Sequence, residues 1–259
     1  MSALIPYLIA CPLCMLAGFI DSIAGGGGLI SLPAYYLALG GTGGVLARLS
    51  AGTNKVSASL GTIAAVVKYA RGKDIAWGPA LTATAGALPG AFLGAQALKG
   101  IPEALALKIM LVVLPVVCVV LLARRGEFQR KVEPKGWRYP AYAAIGLVVG
   151  FYDGMIGPGT GTFLILLFSG VTGMEPIIAS GSAKVVNLAS GLSSLVSFMI
   201  GGYVDWLLGL AAAVFAIAGN LLGAGLAIKK GAKVIQAVLV VVLGLILVTL
   251  GIRAAGMQA

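Results

Sequence analysis

Twice in this chain an apolar run long enough to enter a bilayer stops at an aspartate and a string of glycines. The first stretch is Gly18-Phe19-Ile20-Asp21-Ser22-Ile23-Ala24-Gly25-Gly26-Gly27-Gly28, and the second is Gly150-Phe151-Tyr152-Asp153-Gly154-Met155-Ile156-Gly157-Pro158-Gly159-Thr160-Gly161. Hydrocarbon offers no water to an open backbone, so a helix can break at membrane depth only where protein or a water-filled cavity covers the break. A chain with two such breaks has to fold around them.

That the runs belong in a membrane follows from composition. Of 259 residues, 59% are hydrophobic and 10% are charged; soluble domains carry about 25% charged residues. No segment is left over for a soluble catalytic domain. The net charge of +10 reads as Lys/Arg gathered in cytoplasmic loops rather than as a nucleic-acid surface. The N-terminus lacks the basic region and cleavage site of a removable signal. Cys11, Cys14 and Cys118 sit in apolar runs, so no disulfide framework is expected. The chain has no histidine, the commonest general base and metal ligand. Neither a metal nor a cofactor is expected.

Hydropathy and charge divide the chain as follows. A helix from about Ala3 to Ala24 ends at the first break. A short apolar piece, Leu29 to Leu39, is too short to cross alone. Spans follow at about Leu46 to Val67, Ile75 to Leu98 and Ala104 to Ala123. The segment 124–138 is the longest polar stretch and reads as a basic cytoplasmic linker. The plan then repeats: Tyr139 to Ile156, a short Thr162 to Ser169, then Ile177 to Ile200, Val204 to Ile228 and Ala232 to Gly251. The expected fold is therefore an all-α polytopic membrane protein of two homologous repeats, residues 1–123 and 139–259. Each is a glycine-broken helical hairpin plus three transmembrane helices.

The repeat is legible residue by residue. Gly18-Phe19-x-Asp21 matches Gly150-Phe151-x-Asp153. Gly52-Thr53-Asn54-Lys55-Val56 matches Gly181-Ser182-Ala183-Lys184-Val185. Trp77 matches Trp206, and Gly90-x-x-x-Gly94 matches Gly219-x-x-x-Gly223, a spacing suited to close helix packing. Basic loops swap places between the copies: Lys68, Arg71 and Lys73 in the first, Lys229, Lys230 and Lys233 in the second. Placing these and the linker inside accounts for 12 of the 18 Lys/Arg and makes the copies inverted. The competing arrangement, eight simple spans with parallel copies, leaves the second basic loop outside.

Ionisable residues within spans are costly and are functional candidates by default. Asp21/Asp153 and Lys55/Lys184 are the pairs present in both copies. The lysines read either as a binding charge for an anion or as partners in structural ion pairs with the aspartates. Asn54 and Asn187 read as donors to a small oxyanion or as interhelical bonds. The backbone amides of Gly25, Gly26, Gly27 and Gly28, and of Gly157, Gly159, Thr160 and Gly161, lie where a short helix begins, a favourable place for an anion. Asp21 and Asp153 read as coupling acids or as structural caps. Arg48 reads as an anion lure or a helix anchor. Tyr35, Tyr36, Tyr69, Trp77, Trp137, Tyr139, Tyr203 and Trp206 are expected to form an interfacial belt.

The stretch Ala17 to Pro33, the Gly52-Thr53-Asn54-Lys55 motif, the second break and Lys184-Val185-Val186-Asn187 resemble the sulfite exporter TauE/SafE family, also called the toluene sulfonate uptake permeases. The resemblance covers nearly the whole chain. It implies a secondary permease of the bacterial cytoplasmic (inner) membrane that moves sulfite, sulfonates or similar anions without an ATPase. Alternatives left open are a carrier or channel for a carboxylate, and an intramembrane sulfur relay through Cys11 and Cys14. The expected partners are a small anionic substrate, the lipid bilayer and a coupling proton or cation. No nucleic acid is expected, and a homodimer is left open.

Overall fold

The computed structural model describes residues 4–40, 44–100, 138–155, 157–241 and 244. These form nine helices: α1 (Ile5–Ala24), α2 (Gly28–Leu39), α3 (Gly44–Arg71), α4 (Trp77–Gly100), α5 (Tyr139–Met155), α6 (Thr160–Thr172), α7 (Pro176–Ile200), α8 (Trp206–Lys230) and α9 (Ala232–Val241). The expected span from Ala104 to Ala123 and nearly all of the linker lie outside the described residues. Of the nine, α1, α7 and α8 are each long and apolar enough to cross a membrane.

Helix ends differ from the sequence-based boundaries in ways the chemistry explains. Lys68 and Arg71 are not in a loop but in the last turn of α3, and Lys229 and Lys230 are in the last turn of α8, where a cation offsets the helix dipole. Helix α6 begins at Thr160, two residues earlier than expected, and runs to Thr172. Helix α8 starts behind Asp205, whose carboxylate accepts the Leu208 amide at 3.0 Å and caps the first turn.

Glycines set which helices touch. A side chain at Gly219 would place its first carbon 2.0 Å from the Met15 carbonyl oxygen, and one at Gly223 would come 2.2 Å from that of Phe19. The order ascends on both helices, so α1 and α8 run side by side in the same direction. The matching seam joins α4 to α5: a side chain at Gly90 would come 2.4 Å from the Leu147 carbonyl oxygen and one at Gly94 2.0 Å from that of Phe151, again ascending. Close backbone approach of this kind is how helices associate in lipid. By contrast, α3 and α7 pass in opposite directions, with Ser59 beside Gly191 and Tyr69 bonded to Ser180.

Two clamps fasten the ends of these helices. Thr53 Oγ1 accepts the Asp205 amide at 2.9 Å, and Ser182 Oγ accepts the Ala76 amide at 3.0 Å. The loop carrying Ala76 also holds Asp74. Burial, and behind it the negative charge of Glu175, push the Asp74 carboxyl above its ordinary range.

Several charged side chains are gathered inside, and large apolar ones face outward. Leu8, Ile200 and Leu207 are more than 70% exposed, whereas Lys184 is fully buried and Asp153 is 6% exposed. A protein surrounded by lipid has this polarity. The expected aromatic belt needs correction here. Tyr139, Trp77 and Trp206 are exposed, but Tyr35 and Tyr69 are fully buried. Their hydroxyls find partners inside, Tyr35 on Ser57 at 2.7 Å and Tyr69 on the Ser22 carbonyl at 2.8 Å.

Candidate functional site

Each break is a short left-handed interruption. Gly25 adopts φ +78°, while Gly157 and Gly159 adopt +88° and +86°, values that glycine alone takes without strain. The two breaks touch. A side chain at Gly25 would meet the Gly161 backbone at 2.1 Å, and Gly28 lies against Pro158.

A helix ending at membrane depth leaves carbonyls without partners, and here other helices supply them. The last turn of α1 is capped by three different elements. Tyr69 of α3 donates to Ser22 O, Ser180 of α7 to Ile23 O at 3.0 Å, and Thr162 of α6 to Ala24 O at 2.7 Å. At the second break Lys55 donates to Asp153 O at 3.1 Å and Tyr152 to Pro158 O at 2.6 Å.

The acids and lysines pair across the halves. Lys55 Nζ stands 2.8 Å from Asp153 Oδ2, and Lys184 Nζ stands 2.7 Å from Asp21 Oδ2. No other ion pair occurs among the described residues. Asp153 is fully engaged: Thr160 donates to its Oδ1 and Ser190 to its Oδ2, each at 2.8 Å. Asp21 is held more loosely, its Oδ1 reached only by the Gly27 amide at 3.4 Å.

Beside these pairs lies a cavity of about 70 Å³ lined by Asp21, Gly25, Gly27, Gly28, Asn54, Lys55, Asp153, Gly157, Thr160, Gly161 and Asn187 among others. That is room for a few water-sized species, such as one small oxyanion with an ion or water beside it. Most of the residues expected to form a site therefore come together. Lys184, Gly26 and Gly159 do not reach the lining. Some of the glycine amides are also engaged already: Gly25 N–H on Asp21 O at 2.7 Å and Gly157 N–H on Tyr152 O at 3.3 Å. Helices α2 and α6 begin at the cavity with no side-chain cap on either. Asn187 turns its amide nitrogen toward the Gly161 tip.

The cavity also holds Cys14, named above only for a sulfur relay, and residues that were not anticipated: Ser31, Ser57, Ser59, Thr62 and Asn220. Lys55, Ser59 and Thr62 are spaced at i, i+4 and i+7, so one helix face carries them, a signal present in the sequence. Cys14 and Cys11 are both free thiols, and only Cys14 lines the cavity. Arg48 lies away from the cavity, its guanidinium 5.6 Å from the Tyr203 ring.

The family model described as sulfite exporter TauE/SafE matches residues 10–250. The probable membrane transporter protein YfcA of Escherichia coli K12 is 34% identical over 232 residues, covering 88% of this chain and 83% of its own length. The probable membrane transporter protein ORF9 of a Sinorhizobium species is 32% identical, covering 88% and 85%. A probable membrane transporter protein of Haemophilus influenzae is 31% identical, covering 87% and 86%. No solved structure matches the chain. A match across nearly the whole sequence, on helices this apolar, leaves one assignment: the chain is a multi-pass membrane protein and belongs to the sulfite exporter TauE/SafE family.

Proposed function

We propose that this protein is a secondary permease for a small sulfur-bearing anion, sulfite or an organosulfonate, in the bacterial inner membrane. The observation that carries the reading is the meeting of the two breaks at Gly25 and Gly161 beside one polar cavity. Broken helices facing each other across a repeat interface are a recurring transporter plan. The sulfur chemistry of the substrate rests on the family description.

In this reading residues 1–123 and 139–259 are inverted repeats joined by a basic cytoplasmic linker at 124–138, and they rock against one another. Support comes from the opposed directions of α3 and α7, which are matched helices of the two copies. The anion rests against the uncapped first turns of α2 and α6, where helix dipoles favour negative charge. Asn54 and Asn187 donate to its oxygens, and Lys55 supplies charge. Lys55 can shift toward an anion because Asp153 keeps Thr160 and Ser190 when it leaves. Lys184, sealed against Asp21, acts by holding the tip of the first hairpin.

The test is flux into proteoliposomes with labelled sulfite or a short sulfonate. The double variant Lys55→Met/Asp153→Asn, which leaves no charge unanswered, and Asn187→Ala are expected to fold and lose most of the flux. Wild-type rates in both would sink the proposed site. Preference for plain carboxylates over sulfur oxyanions would overturn the substrate class.

A further inference from the structure

Asn220 is an asparagine in the middle of a Gly/Ala-rich helix. It is 2% exposed, and its Nδ2 donates to the Ala216 carbonyl at 2.9 Å. That bond fixes which end of the amide is which, because the reverse would set two acceptors against each other. Its Oδ1 is thus a buried acceptor, and it has no hydrogen-bond partner in the protein. The place is built: side chains at Gly18 and Gly61 would come within 2.7 and 2.6 Å of the amide, so α1 and α3 both give way to it.

Three more cavity-lining residues carry unpaired oxygens: Asn54 and Asn187, placed above beside the anion, and Ser59. Ser59 is 4% exposed and its Oγ has no partner. Buried serines in apolar helices commonly bond back to their own helix, as Ser57 does to Asn54 O and Ser194 to Ser190 O. Ser59 does not. Thr62 follows it on the same face of α3 and also lines the cavity.

We propose that the Asn220, Ser59 and Thr62 oxygens form a second subsite in the cavity, for a small alkali cation of the sodium class. An amide oxygen repels an anion and needs a donor or a positive charge, and neutral hydroxyl and carbonyl oxygens suit a hard cation. The cavity's charged groups do not forbid it. Lys55 is held by Asp153, and Asp21, which lines the same cavity, has one lightly used carboxylate oxygen. A cation here offsets the charge of a neighbouring anion in a low-dielectric interior, where isolated charge is costly.

The subsite is single. In the opposite copy the positions of Ser59, Thr62 and Asn220 correspond to Leu188, Gly191 and Ala91. The ion pairs are duplicated and this oxygen set is not, so one cation binds per chain. Only its role as coupling ion rests on the permease reading; the binding does not.

The experiment measures the melting temperature of the purified full chain in detergent, with no organic or sulfur anion added. Sodium chloride is titrated against choline chloride at constant ionic strength. A saturable rise with sodium is expected. The rise should vanish in Asn220→Leu and move to higher sodium in Ser59→Ala. Asn220→Asp, which keeps the shape and adds charge, should move it to lower sodium, and it carries the test if Asn220→Leu does not fold. Equal melting in sodium and choline overturns the subsite, as does a sodium response unchanged in Ser59→Ala and Asn220→Asp. Stabilisation by methylammonium and not by sodium overturns the alkali ion. A sodium response with no effect of a sodium gradient on anion flux retains the subsite and overturns its coupling role.

Discussion

Lys184 and Asp21 stand 2.7 Å apart, joining α7 to α1, and the lysine side chain of that pair is completely buried. Removing one member of such a pair leaves an uncompensated charge in the interior, at about 3–5 kcal/mol. Lys184→Met is therefore expected to melt far below wild type, and Asp21→Asn/Lys184→Met to recover most of the loss. Thermal melting in detergent measures both. A double variant as damaged as the single one would show that the ion pair is not the cause.

The contact between the breaks makes a sharper demand. Gly25→Ala adds a carbon 2.1 Å from the Gly161 backbone at φ +78°, whereas Gly40, at φ +57°, has nothing within 4 Å. Gly40, with ψ 133°, lies outside the left-handed helical well, and Gly40→Ala is expected to cost about 1–3 kcal/mol from backbone strain alone. Gly25→Ala should cost several times that or prevent assembly. Similar expression and melting of the two variants would argue that the breaks do not touch.

The end clamps should behave alike. Thr53→Val and Ser182→Ala each remove one acceptor from a loop amide, at 2.9 and 3.0 Å. Each is expected to cost about 1–3 kcal/mol for an amide left unpaired. Limited proteolysis at the 72–76 and 201–205 loops reads the two clamps separately. Ser182→Ala should open only the first loop and Thr53→Val only the second.

Asp74 supplies a pH dependence. Its folded-state carboxyl titrates above its ordinary value of 3.8, so the folded state holds the proton more tightly than the unfolded chain. The ionised form is the destabilising one. Its penalty is absent below pH 3.8, grows as pH rises toward the shifted value, and is complete above it. Asp74→Asn is expected to raise the melting temperature by ~1–2 °C at pH 7 and to lose that advantage as the pH falls toward 4. A gain that is the same at both pH values would contradict the assignment.

Much of this architecture could be read before any coordinates. The breaks, the repeat and the recurrence of one acid and one lysine per copy are local patterns. So are the helix boundaries, which moved by a few residues where a basic side chain joined the last turn of α3 or α8. What could not be read was which acid meets which lysine, since both pairings satisfy the same charges and only the packing of α1 on α8 and α4 on α5 decides. The hydroxyls of Ser57, Ser59 and Thr62 were passed over because serine and threonine bond unremarkably to their own helices. Asn220 stood alone among glycines and alanines with no counterpart in the first copy. Tyr35 and Tyr69 look interfacial by residue type and are buried because each hydroxyl meets a partner on another helix.

The exchange of partners between halves has a consequence for synthesis. Asp21 leaves the ribosome 163 residues before Lys184, and Lys55 leaves it 98 residues before Asp153. The first half therefore enters the membrane before the native partner of either charge has been made. Until α5 and α7 arrive, the nascent first half needs shelter from lipid, by the insertion machinery or by water at the interface. Truncation after residue 123 should leave a product that is extracted or degraded, and supplying residues 139–259 as a separate chain should rescue it.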